Sequence, residues 1–400
     1  MLHVSRGSAH IAPFRHAPEG PRVFRGKPNH CLLAPPSPGK AWRAQSDPAD
    51  RHWAQPRRAF GDELVQALDT LRDPRLVEQR DAHMERLRRL FHGQVEGRAY
   101  FLCGRRGVGR SDAHKEPEAW LAEALEDVAQ HGVLLADQDV FRPLVIEYGP
   151  YGVHLIDRIF GATVYELGTP GNWQAECLSE PVGSLEAPCL ADDETWALAK
   201  RVALRFVETG ATVPLFGLPT LSSAINAFLN LYGGAGLVAM LAEPEAASRD
   251  LHVINDLIIE LHTWYREHIP AAQLQPVVAD ARTQPPGFGQ LCGCSTQLLS
   301  RATYAHLIAP LDAELLSVHP NGGMIHLCGT HAQHVPTWRE MTCLKAVQVN
   351  DRAAEDLEAY FHGLREDQIL YVNPCPGMPV ERILEITGGR RTVIVGDRPA

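Results

Sequence analysis

Within the stretch GGMIHLCGTHAQHVPTW, residues 322–338, an imidazole and a thiol stand two positions apart. Met324, Ile325 and Leu327 read as a short buried strand, which His326 and Cys328 interrupt and Gly329 ends. On a strand, side chains at i and i+2 leave the same face. The pair can therefore present two ligands to one zinc ion at a strand end. The competing reading is a buried cysteine beside a histidine hydrogen-bonded in the core. His331 and His334 follow at i, i+3 spacing where a helix begins. There they either face solvent or orient the ligands.

Other chemistry-bearing residues cluster at what read as strand exits. The loop CGRRGVGRS, residues 103–111, offers Arg105, Arg106 and Arg110. It lacks the lysine of a phosphate-binding loop, so paired guanidiniums that take a carboxylate or phosphate of the substrate are the useful reading. The alternative is a solvated loop. EYGPYGVH, residues 147–154, places Glu147, Tyr148, Tyr151 and His154 after a strand. Glu147 suits a general acid or base or a backbone-holding carboxylate, and Tyr148 a substrate contact. Asp351 follows the strand KAVQVN, as acid–base group and substrate contact or as the ion-pair partner of Arg352.

These residues must be held by elements that alternate. Leucines at helical spacing from Leu64 to Leu90 predict an N-terminal helical extension. Strands are expected at 99–104, 143–149, 163–167, 212–219, 273–281, 290–294, 322–329, 345–351, 368–375 and 391–396, with helices between most of them. Strand–helix alternation implies βαβ units and a parallel sheet. The fold class is α/β, with a (β/α)8 TIM barrel favoured over a doubly wound open sheet. No G-x-G-x-x-G follows a strand, which removes the cue for a dinucleotide fold. In such a barrel the active site lies at the C-terminal strand ends, where Cys103, Glu147, Cys292, Cys294, His326, Cys328, Asn350, Asp351, Asn373 and Cys375 all fall.

The chain has 400 residues and a formal net charge of −10. An acidic balance speaks against a nucleic-acid partner, since phosphate neutralisation needs a basic surface. Nine scattered cysteines in a long chain do not make a secreted disulfide framework. A reducing cytoplasm is expected, and the first thirty residues show no apolar signal region. The apolar stretch 213–241 is broken by Pro219, Ser222, Ser223, Asn226 and Asn230. It reads as a buried helix rather than a membrane span. Residues 1–58, rich in Pro, Arg, His and Ser, read as a disordered tail or an artefact of the assigned start. Residues 59–400 would form the barrel.

From 160 to 388 the chain resembles the uroporphyrinogen decarboxylase superfamily, which includes haem-pathway decarboxylases and cobalamin-dependent methyltransferases on a (β/α)8 barrel. The resembling pieces are FGAT (160–163), VPLFGLPTLSSAINAFLNLYG with LAEPEAASRDLHVINDLIIELHTWY, STQLLSRATYAHLIAPLDAELL (295–316), IHLCG (325–329) and VNPCPGMPVERILEITGG (372–389). The last is similar to the family's N-x-x-P strand exit, here Asn373 and Pro376, which implies a substrate contact at Asn373. The decarboxylases' arginine-rich clamp wording and Gly-His-Gly strand exit are absent. The H-x-C-G strand is similar to the methyltransferase branch, which implies zinc on His326, Cys328 and a distant third cysteine. Cys375 is the positional candidate, with Cys292 and Cys294 as rivals. The resemblance implies zinc-thiolate-assisted methyl transfer with a corrinoid as co-substrate. Its alternatives are cofactor-free decarboxylation of a tetrapyrrole or related polycarboxylate through Arg105, Arg106 and Asp351, and a non-catalytic tetrapyrrole- or corrinoid-binding barrel. A corrinoid protein and a second copy of the chain are the protein partners it suggests.

Overall fold

The structure is a computed structural model that describes residues 62–94, 98–132, 135, 139–169, 171–219, 221–275 and 282–399. The tail expected over 1–58 lies outside these residues. The strands in chain order are β1 (Tyr100–Leu102), β2 (Arg105–Arg106), β3 (Val140–Phe141), β4 (Leu144–Glu147), β5 (Val164–Glu166), β6 (Trp173–Ala175), β7 (Leu215–Gly217), β8 (Leu274–Gln275), β9 (Gly289–Cys292), β10 (Gly323–Cys328), β11 (Leu344–Asn350), β12 (Ile369–Val372) and β13 (Thr392–Val395). One sheet runs β3-β1-β13-β12-β11-β10-β9 and a second runs β2-β4-β7-β8. Every pairing in both is parallel.

The two sheets share chain. Between β1 and β2, Cys103 N donates to Phe141 O (2.8 Å) and Arg105 N to Pro143 O (2.8 Å), so the ladder between 100–106 and 140–147 continues from one sheet into the other. The strands thus follow one another in a single parallel series whose ends are β8 and β9. Among the described residues no backbone ladder joins those ends. Glutamine amides do so instead. Gln284 N donates to Gln275 Oε1 (3.0 Å), Gln275 Nε2 donates to Gln284 O (3.1 Å), and Gln284 Nε2 donates to Gly289 O (3.0 Å).

Strand alternation gives the sheet two unlike faces. Leu291, Ile325, Leu327, Val347, Val349, Leu370, Val372 and Ile394 make one, and all are buried. Gln290, Cys292, Met324, His326, Cys328, Gln348, Asn350 and Tyr371 fall on the other by the same count. At the N-terminal strand ends this second face is covered by the helix Pro74–Phe91. His83 shares a 2.8 Å hydrogen bond with Tyr100 and stacks on Phe141, while Phe91 packs on Phe288 and Tyr371. Asp73 caps this helix by accepting from Arg75 N (2.9 Å), and Pro74 occupies its first turn.

Several expectations need correction. The strand placed at 163–167 is β5, which pairs antiparallel with β6 in a separate hairpin. Two-residue β2 lies where a loop was expected. Of 273–281 only Leu274–Gln275 is described as strand. The apolar stretch becomes the helix Ala224–Ala242, capped by Ser223 and broken at Gly233 (φ 55°, ψ −134°). By length and composition alone that helix is long and apolar enough to cross a membrane, although half of its apolar window is buried against the rest of the chain.

Behind the sheet lies a buried polar knot. Trp338 Nε1 donates to Tyr304 Oη (2.8 Å), which donates to Asp312 Oδ2 (2.8 Å). Burial pushes the Asp312 carboxyl up to about 7. In the unfolded chain an aspartate ionises near 4. Between these values the folded chain holds a proton that the unfolded chain has lost, so the stabilising contribution is full below about pH 4 and is lost as the pH rises to about 7. Urea unfolding across that window is expected to show stability falling by up to about 1.4 kcal/mol per pH unit from this group. Asp312→Asn, which keeps an acceptor for Tyr304, flattens that slope. An unchanged slope in the variant would refute the assignment.

Candidate metal centre

The C-terminal ends of the parallel strands gather the functional side chains at one edge. Cys294, His326 and Cys328 lie there with their ligand atoms all within 4.8 Å of one another. His326 and Cys328 come from β10, where His326 is 5% exposed. Cys294 opens a 3-10 turn, Cys294–Leu298, that begins two residues beyond the end of β9. The hinge between is Gly293, where an added Cβ would sit 2.5 Å from Ile325 Cδ1. A side chain at this position would require the Ile325 side chain to shift.

Parallel register sets the next shell of contacts. His326 stands opposite Gln348, and Cys328 opposite Asn350. His326 Nδ1 is hydrogen-bonded to Gln348 Oε1. A carbonyl oxygen only accepts, so Nδ1 carries the proton and Nε2 keeps its lone pair. That Nε2 lies 3.2 Å from Cys328 Sγ. Gln348 is held in turn, its Nε2 donating to Asn373 Oδ1. The Cys294 thiol, hydrogen-bonded to the Cys328 sulfur, holds the Cys328 thiol well below its ordinary range against the opposing effect of burial, and the Cys294 thiol is pushed up by the same bond and by burial. Asn350 Nδ2 adds a contact to Cys328 Sγ at 3.7 Å.

Two histidines tie the thiol-bearing turn to the β10 exit. His331 Nε2 lies 2.7 Å from Cys328 O, and its Nδ1 lies 2.9 Å from Thr296 Oγ1. Burial lowers the His331 pKa to about 4, so the ring is neutral near pH 7. It donates from Nε2 to the carbonyl, while the Thr296 hydroxyl donates to Gly293 O (2.8 Å) and lies against Nδ1. His334 Nε2 donates to Thr296 O (2.8 Å), with its ring against Tyr304. These are the orienting roles weighed for the pair, and the solvated alternative does not hold: both rings are fully buried.

The other expected residues are placed as follows. Cys375, preferred as third ligand, does not belong to the cluster. Its turn closes on Met378, and its Sγ contacts Asp351 O at 3.7 Å. Cys294 takes its place, because a turn immediately after β9 stays at the edge that β10 shares. Cys292, buried at the end of β9, stands opposite His326 in register, its thiol pushed up by burial and contacted by Arg282 Nη1 at 3.8 Å. Arg106 Nη1 lies 3.6 Å from Glu147 Oε1, the arginine half-exposed and the glutamate buried. Arg105 is exposed and, by alternation along β2, on the opposite face. The two arginines therefore do not form one clamp. Tyr148 is buried with its hydroxyl donating to Ala113 O, a wall contact. Asp351 is exposed at the β11 exit with φ 48°, a conformation costly for a non-glycine residue, and it accepts from Asn350 Nδ2 (3.3 Å). Asn373 serves Gln348. The residue that sequence reading missed is Gln348. Its signal is a lone amide inside the apolar run KAVQVN, paired in register with His326.

No family model matches the sequence, and no curated protein matches it. Among solved structures the fold is similar to that of a methyltransferase from Methanosarcina mazei, with a TM-score of 0.55 and 11% identity, over 77% of this chain and 90% of that chain. At this identity the likeness speaks for a shared α/β fold.

Proposed function

We propose that the protein is a methyltransferase-type enzyme of the uroporphyrinogen decarboxylase superfamily, a (β/α)8-type barrel closed at the glutamine seam. In this reading it binds zinc through Cys294, His326 and Cys328 and transfers a methyl group from a corrinoid to a thiol. The observation that carries it is the convergence of two sulfurs and one imidazole nitrogen at the C-terminal strand edge. The fold of the methyltransferase neighbour agrees with it.

The donor set fits the ion. Two sulfurs and a nitrogen are soft to borderline ligands, and three protein ligands leave a fourth position for substrate. When bound, zinc supplies the Lewis acidity that keeps a thiol substrate deprotonated near neutral pH. The chain does the rest. Gln348 fixes the imidazole tautomer so that Nε2 is the ligating atom. His331 and Thr296 hold the Cys328 carbonyl and the Cys294 turn in place. Half-exposed Arg106, anchored by buried Glu147, is suited to the anionic end of a substrate. A methylated corrinoid, as co-substrate, would supply the methyl group, and the thiolate of the bound substrate would accept it.

Purified protein is expected to hold close to one zinc per chain by elemental analysis. Cys294→Ala, His326→Ala and Cys328→Ser should each abolish stoichiometric binding, while Cys375→Ser should retain it. A parent protein without stoichiometric zinc would overturn the metal reading. Gln348→Leu is expected to weaken zinc affinity by about 10–100-fold in chelator competition, the usual cost of losing a group that orients a metal-bound histidine. Unchanged affinity would remove Gln348 from that role.

A further inference from the structure

A second built arrangement shares a helix with the candidate centre and has no part in holding a metal. His154 Nδ1 lies 2.6 Å from Asp157 Oδ2. Asn230 Nδ2 donates to the same oxygen (2.8 Å). Asp157 is fully buried, and its other oxygen, Oδ1, is buried without a partner among the described residues. An under-satisfied buried carboxylate is a poor stabilising device. It is a good means of fixing one imidazole tautomer. The carboxylate accepts from Nδ1, so Nε2 carries the free lone pair, and no hydrogen bond to a described residue engages it. The His154 side chain is 12% exposed, enough to meet a small molecule but not bulk water on all sides.

Position links this dyad to the thiols. His154 lies in the segment that leaves β4 at the strands' C-terminal edge, seven residues after Glu147. The helix Ala224–Ala242 carries both arrangements on one face. Asn226 Oδ1 accepts from Ser295 N (2.9 Å), the residue next to Cys294, and Asn230, one turn later, holds Asp157. Residues at i and i+4 lie about 6 Å apart along a helix axis. Ser222 Oγ also donates to Val153 O (3.4 Å), which ties the dyad's loop to the start of that helix.

We propose that His154 is the general base of the site, with Asp157 and Asn230 as its positioning residues. Its Nε2 takes the proton of the incoming thiol: the sulfur–hydrogen bond breaks, a nitrogen–hydrogen bond forms, and the electron pair stays on sulfur as the nucleophile. This rests on the thiol-transfer reading above.

The test is the rate of proton release on the zinc-loaded full-length protein at about pH 8, where an ordinary imidazole is free to accept a proton. 2-Mercaptoethanol is the probe, mixed rapidly with the protein in weak buffer containing a pH indicator, with no corrinoid present. The parent should release the thiol's proton fast, because His154 takes it from sulfur and passes it to buffer. His154→Ala and His154→Gln should release the same proton about 10²-fold more slowly, with zinc content unchanged. In turnover with methylcobalamin, His154→Ala should lose about 10²–10⁴-fold in kcat and recover part of it with free imidazole. Asp157→Asn should show an intermediate loss. Equal rates of proton release by parent and His154 variants would overturn the inference and leave the thiol reading standing. Failure of the zinc-loaded parent to bind the thiol at all would overturn both.

Discussion

The register of β10 against its neighbours is the constraint on which the candidate centre depends. A strand's side chains alternate with a period of two, so a slip of one residue exchanges its faces. Such a slip would put Ile325 and Leu327 where His326 and Cys328 now stand, and would bury the imidazole and thiol against the helices. Apolar packing opposes this. Ile325, Leu327, Val347 and Val349 are at most 1% exposed, and each fully buried aliphatic side chain contributes about 1.5–3 kcal/mol relative to exposure. The start of β10 is confined as well, since an added Cβ at Gly323 would lie 2.2 Å from Gly289 O. The chemistry is thus placed by residues that take no part in it.

The opposite face carries the complementary problem. It is buried and polar, and a buried polar group without a partner is costly. The sheet meets this with side-chain amides spaced to reach one another across strands. Gln348 joins His326 to Asn373, and Gln275 with Gln284 bridges β8 to β9 where backbone pairing stops. One principle serves both ends of this face. An amide offers an acceptor and two donors on a planar group, so it can dictate a histidine tautomer at one strand exit and stand in for a ladder hydrogen bond at another.

Much of this was legible in the sequence, and the illegible parts share a cause. The His326–Cys328 strand and the parallel α/β alternation follow from local pattern, because the hydrophobic period is set within a few residues. The hairpin at 164–175 was not separable from a sheet strand, because TVYEL has strand composition and only tertiary pairing assigns it. The third thiol and Gln348 were the harder cases. Each acts through a neighbour far off in sequence, and a one-dimensional pattern does not say which strand lies beside which. Gln348 carried a trace of its role all the same, since an uncharged amide inside a buried apolar strand asks for a partner on the adjacent one.

The substitution of Cys294 for Cys375 follows from how the chain leaves each strand. After β9 it turns at once, and the turn is held from three sides: by Asn226 at Ser295 N, by His331 at the Thr296 hydroxyl, and by His334 at the Thr296 carbonyl. A thiol at the head of that turn is fixed against β10 before any ligand arrives. After β12 the chain runs on through Asn373 into a turn closed only on itself, between Cys375 and Met378. Asp351, in its strained left-handed conformation, carries the β11 exit outward and offers its carbonyl to the Cys375 sulfur. The edge is therefore asymmetric. Its β9–β10 side is braced by buried histidines and a helix, and its β11–β12 side is exposed. Side chains on the braced side are held in place before anything binds, and those on the exposed side stay open to solvent.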